Sequence, residues 1–321
     1  MNSSIISVQG LTKYFPVRSG IARRTIGFVK AVDSINFDIK AGETYSLIGE
    51  SGCGKTTTAR LILLLYEPTV GSILFQGENI LGADKDKMRE YRRSVQAIFQ
   101  DPFSSLSPKM RVGTIIAEPL LQTGNYTRQE AKERVEEVLN TVRLPGRSRN
   151  YPHEFSGGER QRIALARAIA PNPKVIMLDE PVSALDVSVR AQVMNHLKEV
   201  QDKFGLSYLL IAHGLGTVRY MTDTVGVMYL GKIVETGPGE EVFGHPLHPY
   251  TEALLKASLP FSPDDRDRVV PLPGEVPSPL RVPPGCAFHQ RCYRARSSCS
   301  EERPVLQEAA SGHWVACPYL D

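Results

Sequence analysis

Gly49-Glu50-Ser51-Gly52-Cys53-Gly54-Lys55-Thr56, with Thr57 after it, lies between the apolar run Thr44–Ile48 and a segment carrying Leu61, Ile62, Leu64 and Leu65. An apolar run, a Gly-rich turn and an amphipathic segment read as strand, loop and helix. The spacing is that of a complete Walker A phosphate loop. Its glycines let backbone N–H groups turn inward and cradle phosphate oxygens at a helix N-terminus. Lys55 is expected to reach the β- and γ-phosphates, and the Thr56 hydroxyl to ligate Mg2+. A chance Gly-rich turn is the plainer alternative, but it does not account for the strand before and the helix after. Alone, the motif does not separate kinases, GTPases, helicases and transporters.

Working outward, a second strand-like run, Val175–Leu178, ends in Asp179 and Glu180, and a third, Tyr208–Ile211, ends in Ala212 and His213. An acidic pair at a strand end is most often a solvated terminus, a reading that the upstream phosphate loop reverses. Asp179 fits a residue holding Mg2+ through water, and Glu180 a general base polarising the attacking water. Short apolar strands alternating with helices predict an α/β fold with a mainly parallel sheet covered on both faces. Residues 101–170 read as helical: Thr127 to Glu130 matches a capping box, and Ala131, Val135, Val138, Leu139 and Val142 make an apolar face. Val225–Tyr229 and Ile233–Thr236 flank a Gly-containing turn and predict a β-hairpin. From Pro260 to Pro284 prolines are dense, which predicts a linker or an irregular appendage.

A chain of 321 residues suggests one large domain with an appendage, or two domains. A formal charge of +3 without a long basic run argues against nucleic acid as a partner. Met1 to Phe15 has no basic region followed by an apolar stretch, so no signal peptide is expected. No run approaches the ~18 apolar residues needed to span a bilayer, so a membrane role has to come through partners. Cys53 sits inside the phosphate loop, where it reads as a small filler. Cys286, Cys292, Cys299 and Cys317 are separated by five, six and seventeen residues. Without an export signal, clustered cysteines point to a metal in the cytoplasm rather than to disulfides. Four thiolates suit zinc or an iron–sulfur cluster, and the tight knuckles of structural zinc are missing.

Phe155-Ser156-Gly157-Gly158-Glu159 is a second anion-binding turn, with Ser156 and two glycines opening a helix over Arg160–Ala170. It resembles the signature of the ABC ATPases, usually written LSGGQ, with Phe155 for Leu and Glu159 for Gln. The other elements of that family follow in order. Gln100 resembles the Q-loop glutamine that senses Mg2+ and the attacking water. Ser183-Ala184-Leu185-Asp186 resembles the D-loop that crosses the dimer interface, and His213 the switch histidine that contacts the γ-phosphate. The Asp that usually follows this histidine is Gly214 here. Phe15, with Tyr14 as the alternative, stands where the family places an aromatic stacked on adenine.

A narrower resemblance covers Ile98-Phe-Gln-Asp-Pro-Phe-Ser-Ser-Leu-Ser-Pro108, Gly244-His-Pro-Leu-His-Pro-Tyr-Thr-Glu-Ala-Leu-Leu255 and an N-terminal insertion from Val17 to Val29 with Arg18, Arg23 and Arg24. These are similar to the ATPases of oligopeptide/dipeptide importers. The insertion itself reads as a solvated hairpin, and His245 and His248, next to Pro246 and Pro249, as a structural turn rather than metal ligands. The resemblance implies a RecA-like P-loop nucleotide-binding domain over 1–257, with an inserted helical subdomain at about 101–170. A small Cys-rich extension over 258–321 follows. In some members a similar tail holds a [4Fe–4S] cluster, so Cys286, Cys292, Cys299 and Cys317 are expected to hold one, with Zn2+ as the alternative. ATP and Mg2+ would be sandwiched between two ATPase chains, the signature of one completing the site of the other. The implied partners are a second, different ATPase chain, two transmembrane permease subunits and, through them, an extracytoplasmic solute-binding protein. The chain would then lie peripherally on the cytoplasmic face of the membrane. Peptides are the leading solute, with nickel or another small solute as alternative. A soluble ABC ATPase of DNA repair or translation would need a long insertion or a second cassette. A regulatory, non-hydrolysing subunit would lack Glu180 or His213.

Overall fold

Short apolar runs have no polar face to offer water and need cover on both sides. Thr44–Ile48, Val175–Asp179 and Ser207–Ile211 are strands buried along their whole length in the computed structural model. The structure describes residues 3–19, 24–100, 106–122, 124, 126–183, 185–212, 215–257, 272 and 274–320. In chain order the elements are β1 (Ser4–Ser19), β2 (Arg24–Lys40), β3 (Thr44–Ile48), α1 (Lys55–Ile62), β4 (Val70–Phe75), β5 (Glu78–Asn79), α2 (Lys85–Ser94), β6 (Val95–Ile98), α3 (Val112–Gln122) and α4 (Arg128–Thr141). They continue with α5 (Gly157–Ile169), β7 (Val175–Asp179), α6 (Val187–Phe204), β8 (Ser207–Ile211), α7 (Leu215–Met221), β9 (Thr224–Tyr229), β10 (Lys232–Pro238), α8 (Gly239–Gly244), α9 (Pro249–Ala257), β11 (Gln307–Ala310) and β12 (His313–Val315). Among the described residues no helix is long and apolar enough to cross a membrane.

The chain forms two compact units. One comprises Met1–Ile6, Ile39–Thr44 and Phe75–Ala212. Its parallel strands run in the order β8-β7-β6, with Val175 opposite both Ser207 and Val95. The capping box expected at Thr127 is present: its hydroxyl accepts from Glu130 N while Glu130 Oε2 accepts from Thr127 N at 2.7 Å. Ala131, Val135, Val138 and Leu139 on one face of α4, and Val142 just beyond it, are all buried. The helix therefore follows from its own spacing: a reciprocal cap starts it and the apolar stripe seats it.

The other unit comprises Ser7–Asp38, Tyr45–Leu74 and His213–Asp321. Here β9 lies parallel to β3, with Tyr45 opposite Thr224, and antiparallel to β10. The β9–β10 hairpin is the one expected from sequence, closed by Leu230 (φ 42°) and Gly231 (φ 83°). Two positive φ values between paired strands match a type I′ turn, whose twist suits a hairpin. Then β12 adds to β10 and β11 to β12, both antiparallel, so the last strands of the chain extend this sheet.

Candidate functional site

The phosphate loop leaves β3 at Ile48 and enters α1 at Lys55, with Gly54 as the helix N-cap. Gly49 and Gly54 are required where they stand. A Cβ on Gly49 (φ 150°) would fall 2.2 Å from Met228 O, and one on Gly54 (φ 118°) 2.3 Å from Ala31 O. Ser51 and Gly52 are exposed, whereas Cys53 and Lys55 are buried. Lys55 Nζ donates to Gly49 O at 2.7 Å and Glu50 O at 3.0 Å, so the ammonium lies across its own loop. Thr56 and Thr57 follow on the first turn of α1, both half-buried. Cys53 fills space as expected, and burial pushes its thiol up. Its carbonyl accepts from Gly231 N at 2.8 Å, which ties the loop to the β9–β10 turn. Phe15, half-buried on β1, meets Tyr66 edge-on at 5.4 Å. Neighbouring Tyr14 donates to Asp33 Oδ1 at 2.7 Å, an arrangement that with burial pushes its hydroxyl up to about 12.

Two tethers of this loop were not visible in the sequence. The N–H of Glu50 donates to Tyr250 Oη at 2.8 Å. The Glu50 carboxylate accepts two hydrogen bonds from Arg291, at 2.7 and 3.0 Å. Tyr250 lies on α9, whose start is set by His248: buried, it accepts from Tyr250 N at 3.0 Å through Nδ1. Desolvation lowers His248 to about 3, so the ring is neutral, and it serves the turn rather than a metal. Tyr250 lies within the stretch Gly244–Leu255 quoted from the sequence, but nothing in that stretch links it to residue 50. Arg291 was passed over because nothing local links it to residue 50.

The other unit holds the remaining motif residues that are described. Asp179 ends β7 and is only 7% exposed. Glu180 follows with φ 51°, a left-handed conformation that a non-glycine residue adopts at some cost. The turn is pinned by Glu180 N donating to Ile211 O at 2.8 Å and by Ser183 donating through N and Oγ to Glu180 O. Arg190, not singled out from sequence, donates to Leu185 O and Ser183 O and holds the D-loop residues in place. Gln100 is exposed just after β6. His213 and Ala184 lie outside the described residues.

The signature turn opens α5 at Gly157, with Ser156 as its N-cap. Glu159 Oε2 accepts from Ser156 N and Oγ, both at 2.9 Å, and Ser156 Oγ accepts from Glu159 N. The Glu in place of Gln thus completes a capping box, and those hydrogen bonds hold its carboxyl below the usual range. Gly158 has no room for a side chain, since a Cβ would sit 2.7 Å from Val189 Cγ1. Phe155 is buried, as the Leu it replaces would be.

Residues 32–183 match the ABC transporter family model, and residues 234–299 match the oligopeptide/dipeptide transporter C-terminal region. The chain is 49% identical to the oligopeptide transport ATP-binding protein AppF of Bacillus subtilis, covering 98% of this chain and 97% of that one. The chain belongs to the ABC transporter family. It is 44% identical to the dipeptide transport ATP-binding protein DppF of Haemophilus influenzae over 100% of this chain and 98% of that one. Among solved structures, cbiO1 from Clostridium perfringens, part of an ABC transporter complex, superposes with a TM-score of 0.65 at 27% identity, over 75% of this chain and 91% of its own. The ATP-binding cassette MJ0796, bound to ADP and Pi, gives 0.63 at 26%, over 73% and 98%. The α/β ABC nucleotide-binding fold is therefore that of this chain.

The tail of this ABC protein corrects one expectation. Neither the [4Fe–4S] cluster expected on Cys286, Cys292, Cys299 and Cys317 nor the zinc alternative holds. Among the described residues no group of three or more His, Cys, Asp or Glu side chains is placed to hold a metal ion. The four cysteines do line one cavity of about 260 Å3. Burial pushes the Cys286 thiol up to about 11, and Cys292 and Cys317 in the same direction. Each sulfur has a backbone partner: Phe288 for Cys286, Arg294 for Cys292, Arg296 N donating to Cys299, and Tyr319 O accepting from Cys317. The metal was expected from four clustered cysteines and from the tails of similar importer ATPases, but this tail does not stand alone. Phe288 is buried 5.3 Å from both Tyr229 and Tyr250, and β12 pairs with β10. Buried His313 Nε2 lies 2.7 Å from Glu235, whose carboxylate also accepts from Leu247 N and His248 N.

Proposed function

We propose that this chain binds and hydrolyses ATP to power an importer of di- and oligopeptides, from the cytoplasmic face of the membrane. The observation that carries this reading is 49% identity to an oligopeptide transport ATP-binding protein over 98% of the chain. Loop N–H groups of Gly49, Ser51, Gly52, Cys53, Gly54, Lys55, Thr56 and Thr57 receive the phosphates, and the Lys55 ammonium exchanges its two carbonyl partners for phosphate oxygens. Thr56, Gln100 and Asp179 offer the oxygen donors that Mg2+ prefers and would hold it, and the ion would supply positive charge against that of the nucleotide. Glu180 takes the proton of the attacking water, His213 contacts the γ-phosphate, and Phe15 stacks on adenine. Ser156, Gly157, Gly158 and Glu159 complete the site of a second ATPase chain, so hydrolysis requires the closed pair.

In this reading residues 1–257 are the nucleotide-binding domain with a helical subdomain at about 101–170, and 258–321 the extension. The partners are a second, different ATPase chain, two permease subunits and a solute-binding protein that docks through them. The test is purification from membranes followed by reconstitution in liposomes. The expected result is a complex with two ATPase chains and two membrane subunits whose ATP hydrolysis rises with a peptide-loaded binding protein. Stimulation by nickel chelates and not by peptides would replace the substrate. Full activity of the isolated monomer, independent of concentration, would end the paired-site model.

A further inference from the structure

The x positions of a phosphate loop need no charge, yet this one carries Glu50, a carboxylate within a segment that receives a polyanion. Like charges at such a range oppose binding unless the carboxylate is neutralised. Its counter-charge comes from 241 residues further on. Arg291 Nη1 donates to Glu50 Oε2 at 2.7 Å and Nη2 to Oε1 at 3.0 Å, a bidentate fork. The Arg291 side chain is 4% exposed and that of Glu50 20%, so the pair is shielded from solvent. The guanidinium lies 5.9 Å from the ring centres of both Tyr229 and Phe288, and Nη1 is 3.4 Å from Tyr229 Oη. A short helical turn over His289–Arg291 delivers it, with Arg291 N donating to Phe288 O. With Tyr250 holding the Glu50 N–H, one loop residue is gripped through backbone and side chain alike by the C-terminal third of the chain.

We propose that Arg291 is a positioning residue for nucleotide binding: it neutralises and fixes Glu50 so that the loop presents N–H groups, not an unpaired carboxylate, to the triphosphate. The inference rests on the assignment of Gly49 to Thr56 as the phosphate loop. Truncating the guanidinium leaves Glu50 charged and part-buried without its partner, the costly half of a broken buried pair. ATP binding therefore suffers more than turnover of bound ATP.

The experiment measures the Kd of the full chain for a fluorescent ATP analogue, and KM and kcat for ATP in the assembled transporter. Arg291→Ala is expected to weaken binding about tenfold and raise KM to match, with kcat changed much less. Adding Glu50→Gln to Arg291→Ala removes the stranded charge and is expected to restore most of the affinity. A role for Arg291 in seating the tail alone would not be repaired by that second change. Wild-type affinity in Arg291→Ala, or a double variant as weak as the single one, overturns the proposal. If Arg291→Ala does not fold, Arg291→Lys carries the test, since it keeps the charge but loses the fork. It is then expected to bind severalfold more weakly, and unchanged binding overturns the proposal. Lys55→Ala is the control: if it binds ATP normally, the phosphate-loop assignment fails, whatever Arg291 does.

Discussion

The phosphate loop and the signature turn are both Gly-rich entries to a helix, yet they are held in opposite ways. Ser156 and Glu159 close the signature turn between themselves, three residues apart. Glu50 is held by Tyr250 and Arg291, 200 and 241 residues away. A turn that caps itself takes its hydrogen bonds from its own residues, even where its neighbours pack closely on it. A turn that adds ties to distant segments, on top of local ones such as Lys55 to Gly49 O and Glu50 O, also responds to changes far from any motif.

Glu180→Gln is the most severe test, because it touches neither set of ties. ATP binding should persist while steady-state hydrolysis in the assembled transporter falls at least ~100-fold, the usual scale for a general base. Comparable loss of binding would mean that the left-handed turn at Glu180, not its carboxylate, is the functional feature.

Tyr250→Phe removes the acceptor for the Glu50 N–H. Leaving a donor unsatisfied costs about 1–3 kcal/mol, to be read as a drop in unfolding free energy together with weaker nucleotide binding. A stability loss with unchanged binding would show that the loop keeps its shape without this tie.

His248 sharpens the distant side by pH. Its folded value, about 3, lies below the ordinary 6.5, so its contribution is full above pH 6.5 and declines as pH falls towards 3. The slope from this group is about 1.4 kcal/mol per pH unit below 6.5, because only the unfolded chain takes up the proton. His248→Asn should flatten the stability profile between pH 6.5 and 5 relative to the natural chain, in parallel denaturant titrations. Parallel profiles would place a protonated ring in the folded state.

The smallest effect belongs to the local side. Glu159→Ala removes half of a capping box and should lower stability by only about 0.5–1 kcal/mol, with no change in nucleotide affinity of the isolated chain. A larger loss would mean that the signature turn also depends on remote contacts.

The same contrast separates what could be read from the sequence from what could not. Thr127 with Glu130, the Gly231 hairpin, the three buried strands and the phosphate loop itself are defined by neighbours within a few residues, so periodicity and spacing sufficed. Tyr250 and Arg291 act through hydrogen bonds to a residue 200 and 241 positions away, which no local pattern marks. Arg190 reaches carbonyls only five and seven residues back, but backbone acceptors leave no mark in the side-chain pattern. The tail was misjudged for the same reason. Four clustered cysteines point locally to a metal, whereas Phe288 packs on Tyr229 at the end of β9 and Val315 pairs with β10, both contacts set by tertiary packing.

Vectorial synthesis gives the Glu50–Arg291 pair a timetable. Glu50 leaves the ribosome 241 residues before its guanidinium, an interval of roughly 10–50 s at ~5–20 residues per second. The Tyr250 acceptor follows 200 residues after Glu50, and until the whole interval has passed the nascent loop carries a bare carboxylate. Both ties of Glu50 therefore form only when the segment carrying Tyr250 and Arg291 closes on the phosphate loop.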